Sequence, residues 1–352
     1  MLSIHDVLSL PNPPLDSSAV TWGQNTFGKG WKDVQDWEPW TDFTFENLTS
    51  MYSQVLDAPW IGIQPTDDIS AFDRVIRDEQ SFVLFLAKYI WPSINFALKQ
   101  ATVILDLGQN TIYLGPGTWC CGPKVPDWSL VSELTGVSRA KFDNLLPGDA
   151  KLSAKWKPEM KMNPDETFQR QWRLPVSQLA TYANQCHCRY GYIITDATLV
   201  VLRFTKEHID DGLSATRPTR TVTQRHQSHQ RTPSEESQET NESSQPISRP
   251  NESFGAQSYD NNDPVAVIDL EMRPPEYAVI PMADNGKDKL TVKFALFCLC
   301  LMASSGCNDL DCIYPPFNSW RKDQQGPGYI HNTSNLVAES LPDNAEVYET
   351  QE

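Results

Sequence analysis

A polar stretch of 51 residues, 213–263, most constrains how this 352-residue chain can fold, because only seven of those positions are hydrophobic. Serine, threonine, glutamine, asparagine, arginine, glutamate and proline dominate it. Such a segment cannot bury enough surface to offset its ordering entropy, so we expect a disordered linker. The sequence is globular in composition on both sides of the stretch, which predicts an insertion within one domain.

Five parts of the chain follow from this division. We expect a tryptophan-rich amino-terminal cap (1–68), the first part of the core (69–212), the linker (213–263), a strand and an apolar helix that complete the core (264–322), and a frayed acidic tail (323–352). The tryptophans of the opening segment predict an irregular cover over the core, and an aromatic ligand surface is the alternative. They are Trp22, Trp31, Trp37 and Trp40.

Hydrophobic periodicity predicts α+β order, with one central mixed sheet flanked by helices. The predicted helices span 69–99, 176–188 and 290–304. The predicted strands are a hairpin (102–107 and 111–114), single strands at 127–132 and 145–152, a second hairpin (190–195 and 198–204) and a strand at 276–281.

Charge and cysteine content narrow the function classes. With 29 basic against 45 acidic residues and a net charge of −16, the chain cannot bind nucleic acid by bulk positive charge, so contact with a polyanion must be local and metal-assisted. Eight cysteines are too few for a disulfide scaffold. The first 14 residues contain three prolines and no apolar run of signal-peptide type, so we expect an intracellular protein of nucleus or cytoplasm that is not secreted.

No membrane association is expected. The most apolar stretch, 294–303, has ten residues, about half of the roughly 20 needed to span a bilayer. We interpret it as a buried helix.

Glu79 interrupts an apolar stripe at helical spacing. A carboxylate on a core-facing stripe is costly unless it is paired, protonated or bound to a cation. A capped or salt-bridged glutamate at the margin of the stripe is the alternative. The stripe consists of Phe72, Val75, Ile76, Phe82, Val83, Leu86, Tyr89 and Ile90.

Two acids and a lysine lie on two predicted strands. In the strand 145–152, Asp149 and Lys151 share one face because residues two apart do so, while Ala150 points to the opposite layer. Asp127 begins a neighbouring strand. Together with Glu79 these carboxylates form an oxygen-rich site of the kind that binds Mg²⁺ or Mn²⁺, and Lys151 would orient or activate the attacking water.

These residues resemble the signature of the PD-(D/E)xK, or restriction-endonuclease-like, nuclease superfamily, in Pro126-Asp127 followed by Asp149-Ala150-Lys151. Gln178 and Tyr182 resemble the Q-x-x-x-Y helix motif of its exonuclease-like branch. The sequence around the motifs is similar to that of fungal PD-(D/E)xK nuclease-like proteins. This similarity covers roughly residues 70–300, without the linker. The segments that carry this similarity are Lys124-Val-Pro-Asp-Trp128, Leu146-Pro-Gly-Asp-Ala-Lys-Leu-Ser153 and Glu276-Tyr-Ala-Val-Ile-Pro281.

The resemblance implies a restriction-endonuclease-like core and a metal-dependent nuclease that hydrolyses phosphodiester bonds of nucleic acid, with DNA favoured over RNA. It implies that Asp127 and Asp149 are catalytic metal ligands, that Lys151 is the catalytic lysine, and that Glu79 is the helix carboxylate of the metal site. Asp78 and Glu46 are the alternative positions for that carboxylate. Gln178 and Tyr182 would contact the substrate or support the lysine.

The segment 151–173 adds a local basic surface, with six lysines or arginines against three acids. Lys155 belongs to this segment, and we expect it to bind substrate. Trp156 and Trp172 lie between the basic residues and would stack on the bases of a splayed strand. A solvated loop whose aromatic residues pack into the core is the alternative.

Other readings remain open. A catalytically inactive interaction module with the nuclease-like fold is the main rival, and a protein partner could bind the linker 213–263. Zinc is disfavoured, since the cysteines at 120–121, 186–188 and 298–300 lack paired C-x₂-C spacing. Cys298 and Cys300 are expected to act as small hydrophobic residues of an apolar helix.

Overall fold

A computed structural model describes residues 1–25, 27–28, 30–63, 69–107, 111–117, 125–132, 142–208, 270–342 and 345–348. The expected linker, 213–263, lies outside these residues. The helices are α1 (Ile4–Leu8), α2 (Phe45–Leu56), α3 (Ala71–Arg74), α4 (Glu79–Phe85), α5 (Trp91–Ile104), α6 (Glu166–Cys186) and α7 (Val292–Ser304). The strands are β1 (Glu38–Pro39), β2 (Ile112–Pro116), β3 (Trp128–Ser132), β4 (Leu146–Ala150), β5 (Tyr190–Ile194), β6 (Thr198–Arg203), β7 (Lys206–His208), β8 (Leu270–Met272), β9 (Glu276–Pro281), β10 (Ser319–Lys322), β11 (Tyr329–His331), β12 (Val337–Ala338) and β13 (Glu346–Val347).

A mixed sheet organises the described part of the chain, with the strand order β1-β9-β6-β5-β4-β3-β2. The pairs β4–β5 and β1–β9 are parallel, and the other neighbours are antiparallel. Helices cover both faces of the sheet, so the predicted α+β class with a central mixed sheet is confirmed.

Each face of the sheet has its own apolar core because the central strands are buried on both sides. Tyr192 and Ile194 of β5 face α5 and α7, whereas Ile193 packs with α6. Ala150 of β4 belongs to the α5 and α7 side. Since strand side chains alternate, Asp149 points toward the side of α6.

The helix predicted at 69–99 is divided. α3 ends at Arg74, and Asp78 starts a new helix by capping it, with its side chain accepting from the backbone N–H of Ser81. A single π-helical segment, Leu86–Ile90, joins α4 to α5. This break shifts the register of the predicted stripe, so that Phe72 is 72% exposed while the later stripe residues Phe82, Leu86 and Ile90 are buried.

The hairpin predicted at 102–107 and 111–114 is wrong. Residues 102–104 form the last turn of α5, and β2 pairs antiparallel with β3. Thr102, Val103 and Ile104 are β-branched and favour strands by local propensity, but the packing of α5 on α7 and β2 overrides that preference.

The continuous helix from Glu79 to Ile104 has 26 residues and a mean hydropathy of 1.3 in its most apolar window, so by length and composition it passes as a candidate membrane span. In the described part of the chain it is the one helix that does so, and half of that window is buried inside the fold. Its packing on α7 and β2 makes it a core helix.

Two further expectations change. α6 begins at Glu166, ten residues before the predicted start, with Asp165 as its N-cap and Pro175 inside it. Proline removes one helical hydrogen bond, but α6 continues through Pro175. The tail expected to fray contains β11, β12 and β13, which form a small sheet with β10 in the order β12-β11-β10-β13.

The tryptophans of the opening segment differ in their surroundings. Trp37 stacks on Tyr277 at a ring distance of 4.0 Å, and Trp40 stacks on Tyr190 at 5.8 Å. Both are buried, and the strand β1 between them pairs with β9 at the edge of the main sheet. Trp22 is 52% exposed. The opening segment is thus part of the core as well as a cover over it.

Candidate active site

Asp149 and Lys151 mark the end of β4. The parallel pairing of β4 with β5 continues past the strand, since the Lys151 backbone N–H donates to the Ile194 carbonyl at 2.9 Å. Asp149 is 1% exposed and Lys151 is 9% exposed. The Lys151 Nζ atom lies 2.6 Å from Asp149 Oδ2, which places both side chains on one face, as the sequence predicts.

Asp127 reaches the same point from the neighbouring strand. It lies one residue before β3, and the antiparallel pairing sets Trp128 opposite Gly148. Its Oδ2 atom accepts a hydrogen bond from the Ala150 backbone N–H at 2.9 Å. The carboxylate of Asp127 is therefore fixed beside the strand that carries Asp149 and Lys151.

Gly148 is required by close packing at this point of β4. A Cβ atom there would lie 2.1 Å from Tyr192 Cζ, a distance that no real contact allows. The Tyr192 ring fills the space beside the glycine and belongs to the core on the α5 and α7 side. Gly148 thus lets β5 pack closely against the strand that carries the site.

Glu79 lies at the first position of α4 and not on a buried stripe. Its side chain is 39% exposed, and its Oε1 atom accepts from Lys155 Nζ at 3.2 Å. The alternative of a salt-bridged glutamate at the margin of the stripe matches this arrangement. Lys155 lies in the turn that follows β4.

Gln178 and Tyr182 lie on one face of α6, as their spacing predicts. Gln178 Nε2 donates to the Tyr182 hydroxyl at 2.8 Å, and that hydroxyl donates to the Val125 carbonyl at 3.3 Å. Tyr182 is 4% exposed, so it ties α6 to the segment that precedes Asp127. Gln178 lines the cavity described next.

A cavity of about 260 Å³ brings together all of the predicted site residues except Tyr182. From the amino-terminal segment it also receives three residues that the sequence analysis did not assign to the site. Trp31 belongs to the tryptophan-rich opening, for which an aromatic ligand surface is the alternative prediction. No local sequence pattern indicates that Gln24 or Asn25 belongs to the site. The cavity is lined by Gln24, Asn25, Trp31, Glu79, Asp127, Asp149, Lys151, Lys155 and Gln178.

Burial dominates the electrostatics of the central pair. It raises the pKa of Asp149 to about 7, against the opposing effect of the Lys151 ammonium and with a further rise from Asp127. Burial alone would lower the pKa of Lys151, but the carboxylates of Asp149 and Asp127 outweigh it and keep that pKa above its usual value. Lys151 is therefore a firmly held cation beside two carboxyl groups.

The two aspartates fit a divalent cation better than the three-carboxylate set expected from the sequence. Asp149 Oδ2 is buried and, apart from the Lys151 ammonium, has no hydrogen-bond partner among the described residues. Mg²⁺ is commonly held by one or two carboxylates together with waters and substrate phosphates. Within the described ranges no three His, Cys, Asp or Glu side chains are grouped to hold a metal, and Glu79 is instead paired with Lys155.

The basic segment 151–173 is more structural than the sequence suggests. Trp156 and Trp172 are both buried, and the Trp156 indole donates to the Trp172 carbonyl at 3.0 Å, so the prediction that they stack on bases is wrong. Lys161 pairs with Asp36. These aromatic residues complete the core under α6, as the alternative reading stated.

None of the cysteines in the described part of the chain lines the site cavity. Cys298 and Cys300 are buried in α7, which confirms their role as small apolar residues, and burial raises the pKa of both thiols. The cysteines at 120–121 lie outside the described residues. The chain matches no protein-family model, no curated protein and no solved structure.

Proposed function

We propose that this chain is a metal-dependent nuclease that hydrolyses phosphodiester bonds through a PD-(D/E)xK site on a restriction-endonuclease-like core. The observation that supports it best is the convergence of Asp127, Asp149 and Lys151 in one cavity at the ends of two adjacent strands. Their order along the chain resembles that of the nuclease superfamily. The proposed substrate is nucleic acid, with DNA favoured over RNA, inside the cell.

Asp127 and Asp149 would hold Mg²⁺ or Mn²⁺. When bound, the cation would polarise a phosphoryl oxygen and neutralise charge that develops on it. Asp127 is oriented for this by its hydrogen bond from the Ala150 N–H, and Asp149 is oriented by its position in β4. The protein thereby supplies two acidic oxygens on a rigid strand pair.

Lys151 would orient the attacking water and stabilise negative charge on the phosphate. Its ammonium is fixed by the Asp149 carboxylate at 2.6 Å and by the Ala150 carbonyl at 3.2 Å. Two contacts of this kind hold the long side chain in one conformation. The ammonium has three donors, so one stays available for a ligand.

The outer residues of the cavity have supporting roles. Lys155 and Gln178 face the cavity and would contact the substrate backbone. Tyr182 positions Gln178 through their hydrogen bond. Glu79 would set the direction of Lys155, and it would join the metal site when the substrate releases it from that pair.

A cleavage assay tests the proposal. Single-stranded and double-stranded DNA and RNA are incubated with Mg²⁺ or Mn²⁺ and the wild type, Asp149→Ala or Lys151→Ala. Lys157→Ala is the matched control, since Lys157 is exposed on the same basic segment and does not line the cavity. We expect cleavage by the wild type and the control but not by the two site variants. Equal activity in all preparations would show a contaminant and reject the assignment.

A non-catalytic interaction module is the second candidate. One observation favours it: the buried ion pair gives Asp149 a charge partner without any metal. The melting temperature discriminates between the two functions. A nuclease is stabilised by millimolar Mn²⁺ or Mg²⁺, and Asp127→Asn and Asp149→Asn abolish the rise. A wild-type melting temperature that neither Mn²⁺ nor Mg²⁺ changes would support the non-catalytic interaction module.

A further inference from the structure

A second and larger cavity adjoins the candidate active site. Its volume is about 790 Å³, and it shares Gln24, Asn25 and Trp31 with the smaller cavity around Asp149. The amino-terminal segment and the first half of α6 form its walls. The rest of the lining is contributed by Phe27, Lys32, Asp33, Glu166, Thr167, Gln169, Arg170, Gln171, Arg173, Leu174 and Ser177.

The amino-terminal segment is anchored along α6 and closes one side of both cavities. The Asn25 backbone N–H donates to Gln171 Oε1 at 2.6 Å, and the Asn25 amide donates to the Lys155 carbonyl at 3.2 Å. Farther along, the Lys32 backbone N–H donates to Thr181 Oγ1 at 2.8 Å. The described residues of this segment therefore line one side of the approach to Asp149.

The lining of the larger cavity is basic and aromatic in a chain that is acidic overall. Its described residues include three cations, Lys32, Arg170 and Arg173, against two acids, so they carry a net charge of +1 where the chain has −16. Among the described residues, neither arginine forms an ion pair, and the Nε atom of Arg173 is buried without a hydrogen-bond partner. Their guanidinium groups are available to a ligand.

Aromatic surface lies beside these charges. Phe27 is 64% exposed, and its ring centre lies 6.3 Å from that of Trp31. Exposed aromatic rings next to arginines are the combination that proteins use to bind single-stranded nucleic acid, since bases stack on the rings while cations bind the phosphates.

From this arrangement, and resting on the proposed nuclease function, we infer that the larger cavity binds single-stranded nucleic acid and leads it into the site. Phosphates bind Arg170 and Arg173, a base stacks on Phe27 or Trp31, and the next phosphate reaches Lys151. A volume of about 790 Å³ lies within the roughly 300–1,000 Å³ that holds a drug-sized ligand, the scale of a nucleotide or two. The substrate class that we infer is a single strand or a frayed end, because a base must be unpaired to stack on Phe27 or Trp31.

Binding is measured by fluorescence anisotropy with a labelled oligothymidylate and a labelled blunt hairpin of equal nucleotide number, in Mg²⁺, before cleavage begins. We expect the single strand to bind at least about tenfold more tightly than the hairpin. Arg170→Ala/Arg173→Ala should weaken single-strand binding by about tenfold and reduce the salt slope by about 1.4, since each lost phosphate contact removes about 0.7. Phe27→Ala should weaken it by about fivefold or more.

Arg273→Ala is the matched control, because Arg273 is 51% exposed and lies outside both cavities. Thermal melting of each variant verifies that it is folded. Equal binding of hairpin and single strand, unchanged binding by the double arginine variant, or no binding by the wild type would overturn the inference. Denaturing gels of the same samples at later times report cleavage, so a failure of the nuclease function is detected separately from a failure of the binding cavity.

Discussion

The Lys151 ammonium and the Asp149 carboxylate form a buried ion pair at 2.6 Å across a single intervening residue of one strand. The pair lies inside a mixed sheet, where each ion alone would lose several kcal/mol of hydration free energy. Asp127 adds a second carboxyl group beside it. The stability of this part of the sheet therefore depends on both partners together, which leads to the first prediction.

Removing one ion should cost more than removing both. Lys151→Met leaves the Asp149 carboxyl group buried beside Asp127, and we expect a loss of about 3 kcal/mol in the free energy of unfolding. The double variant Asp149→Leu/Lys151→Met removes both charges and should lie within about 1 kcal/mol of the wild type. Urea unfolding measures both. A double variant as unstable as Lys151→Met would contradict the explanation.

Gly148→Ala should destabilise the protein by about 1–3 kcal/mol, the usual cost of overpacking. The new Cβ atom would lie 2.1 Å from Tyr192 Cζ, so β4 or the ring must move. Gly23→Ala is the control, because its Cβ would meet only the flexible end of Lys155 at 3.2 Å. In a double-mutant cycle with Tyr192→Leu, thermal unfolding should show favourable coupling, and strict additivity would rule out this contact as the cause.

Glu79→Gln should separate activity from stability. The Glu79–Lys155 pair is partly exposed, so its loss should change the free energy of unfolding by less than about 1 kcal/mol. If Glu79 directs Lys155 in the site, cleavage should fall by about 10-fold to 100-fold, as for other residues that orient ligands. Asp73→Asn is a control, since Asp73 forms a comparable pair with Lys88 away from the cavity. Equal cleavage by wild type and Glu79→Gln would exclude this role.

His331 should make the protein less stable in mild acid. Burial, with a smaller contribution from Arg321, lowers its pKa to about 4, while the unfolded chain keeps an ordinary pKa near 6.5. The unfolded state therefore binds the proton first, and the contribution of His331 is present above about pH 6.5 and is lost as the pH falls toward 4. Asp149 acts in the opposite direction, because its pKa is raised in the folded state.

The difference between two unfolding curves isolates this histidine. His331→Gln retains a side chain that can hydrogen-bond to Asn318 or to the Ser334 N–H, which are the present partners of the imidazole. The free energy of unfolding of the wild type minus that of His331→Gln should decrease by about 1–2 kcal/mol between pH 7 and pH 5, because the wild type loses stability relative to the variant in acid. Guanidinium unfolding at the two pH values measures it, and a difference independent of pH would assign the acid sensitivity elsewhere.

The strands of the site could be predicted from the sequence, but its walls could not. Asp149 and Lys151 lie two apart in an apolar strand, so alternation alone places them on one face. Glu79 was misplaced because Asp78 begins a new helix within a run of apolar residues that keeps helical spacing on both sides. Asn25 reaches the site through a contact 146 residues along the chain, for which no local pattern exists.

Local sequence patterns also gave wrong predictions where tertiary packing determines the structure. Thr102 has a β-branched side chain typical of strands, yet it lies in α5, where its hydroxyl donates to the Leu98 carbonyl at 3.0 Å. Trp156 and Trp172 stood among lysines and suggested a nucleic-acid surface, but their rings fill the core beneath α6. Periodicity identifies a face, and only the tertiary fold shows what covers it.

The pairing of β1 with β9 constrains the order in which this protein can fold during synthesis. Glu38 is aligned with Glu276, so the strand that leads out of the amino-terminal segment has no partner until more than two hundred further residues have been synthesised. Domains fold as units during synthesis, so β1 cannot pair with the main sheet while that sheet still lacks β9. A nascent chain that already contains Asp149 and α6 would thus lack the strand partner of β1, and the Tyr277 ring on which Trp37 stacks, until β9 emerges.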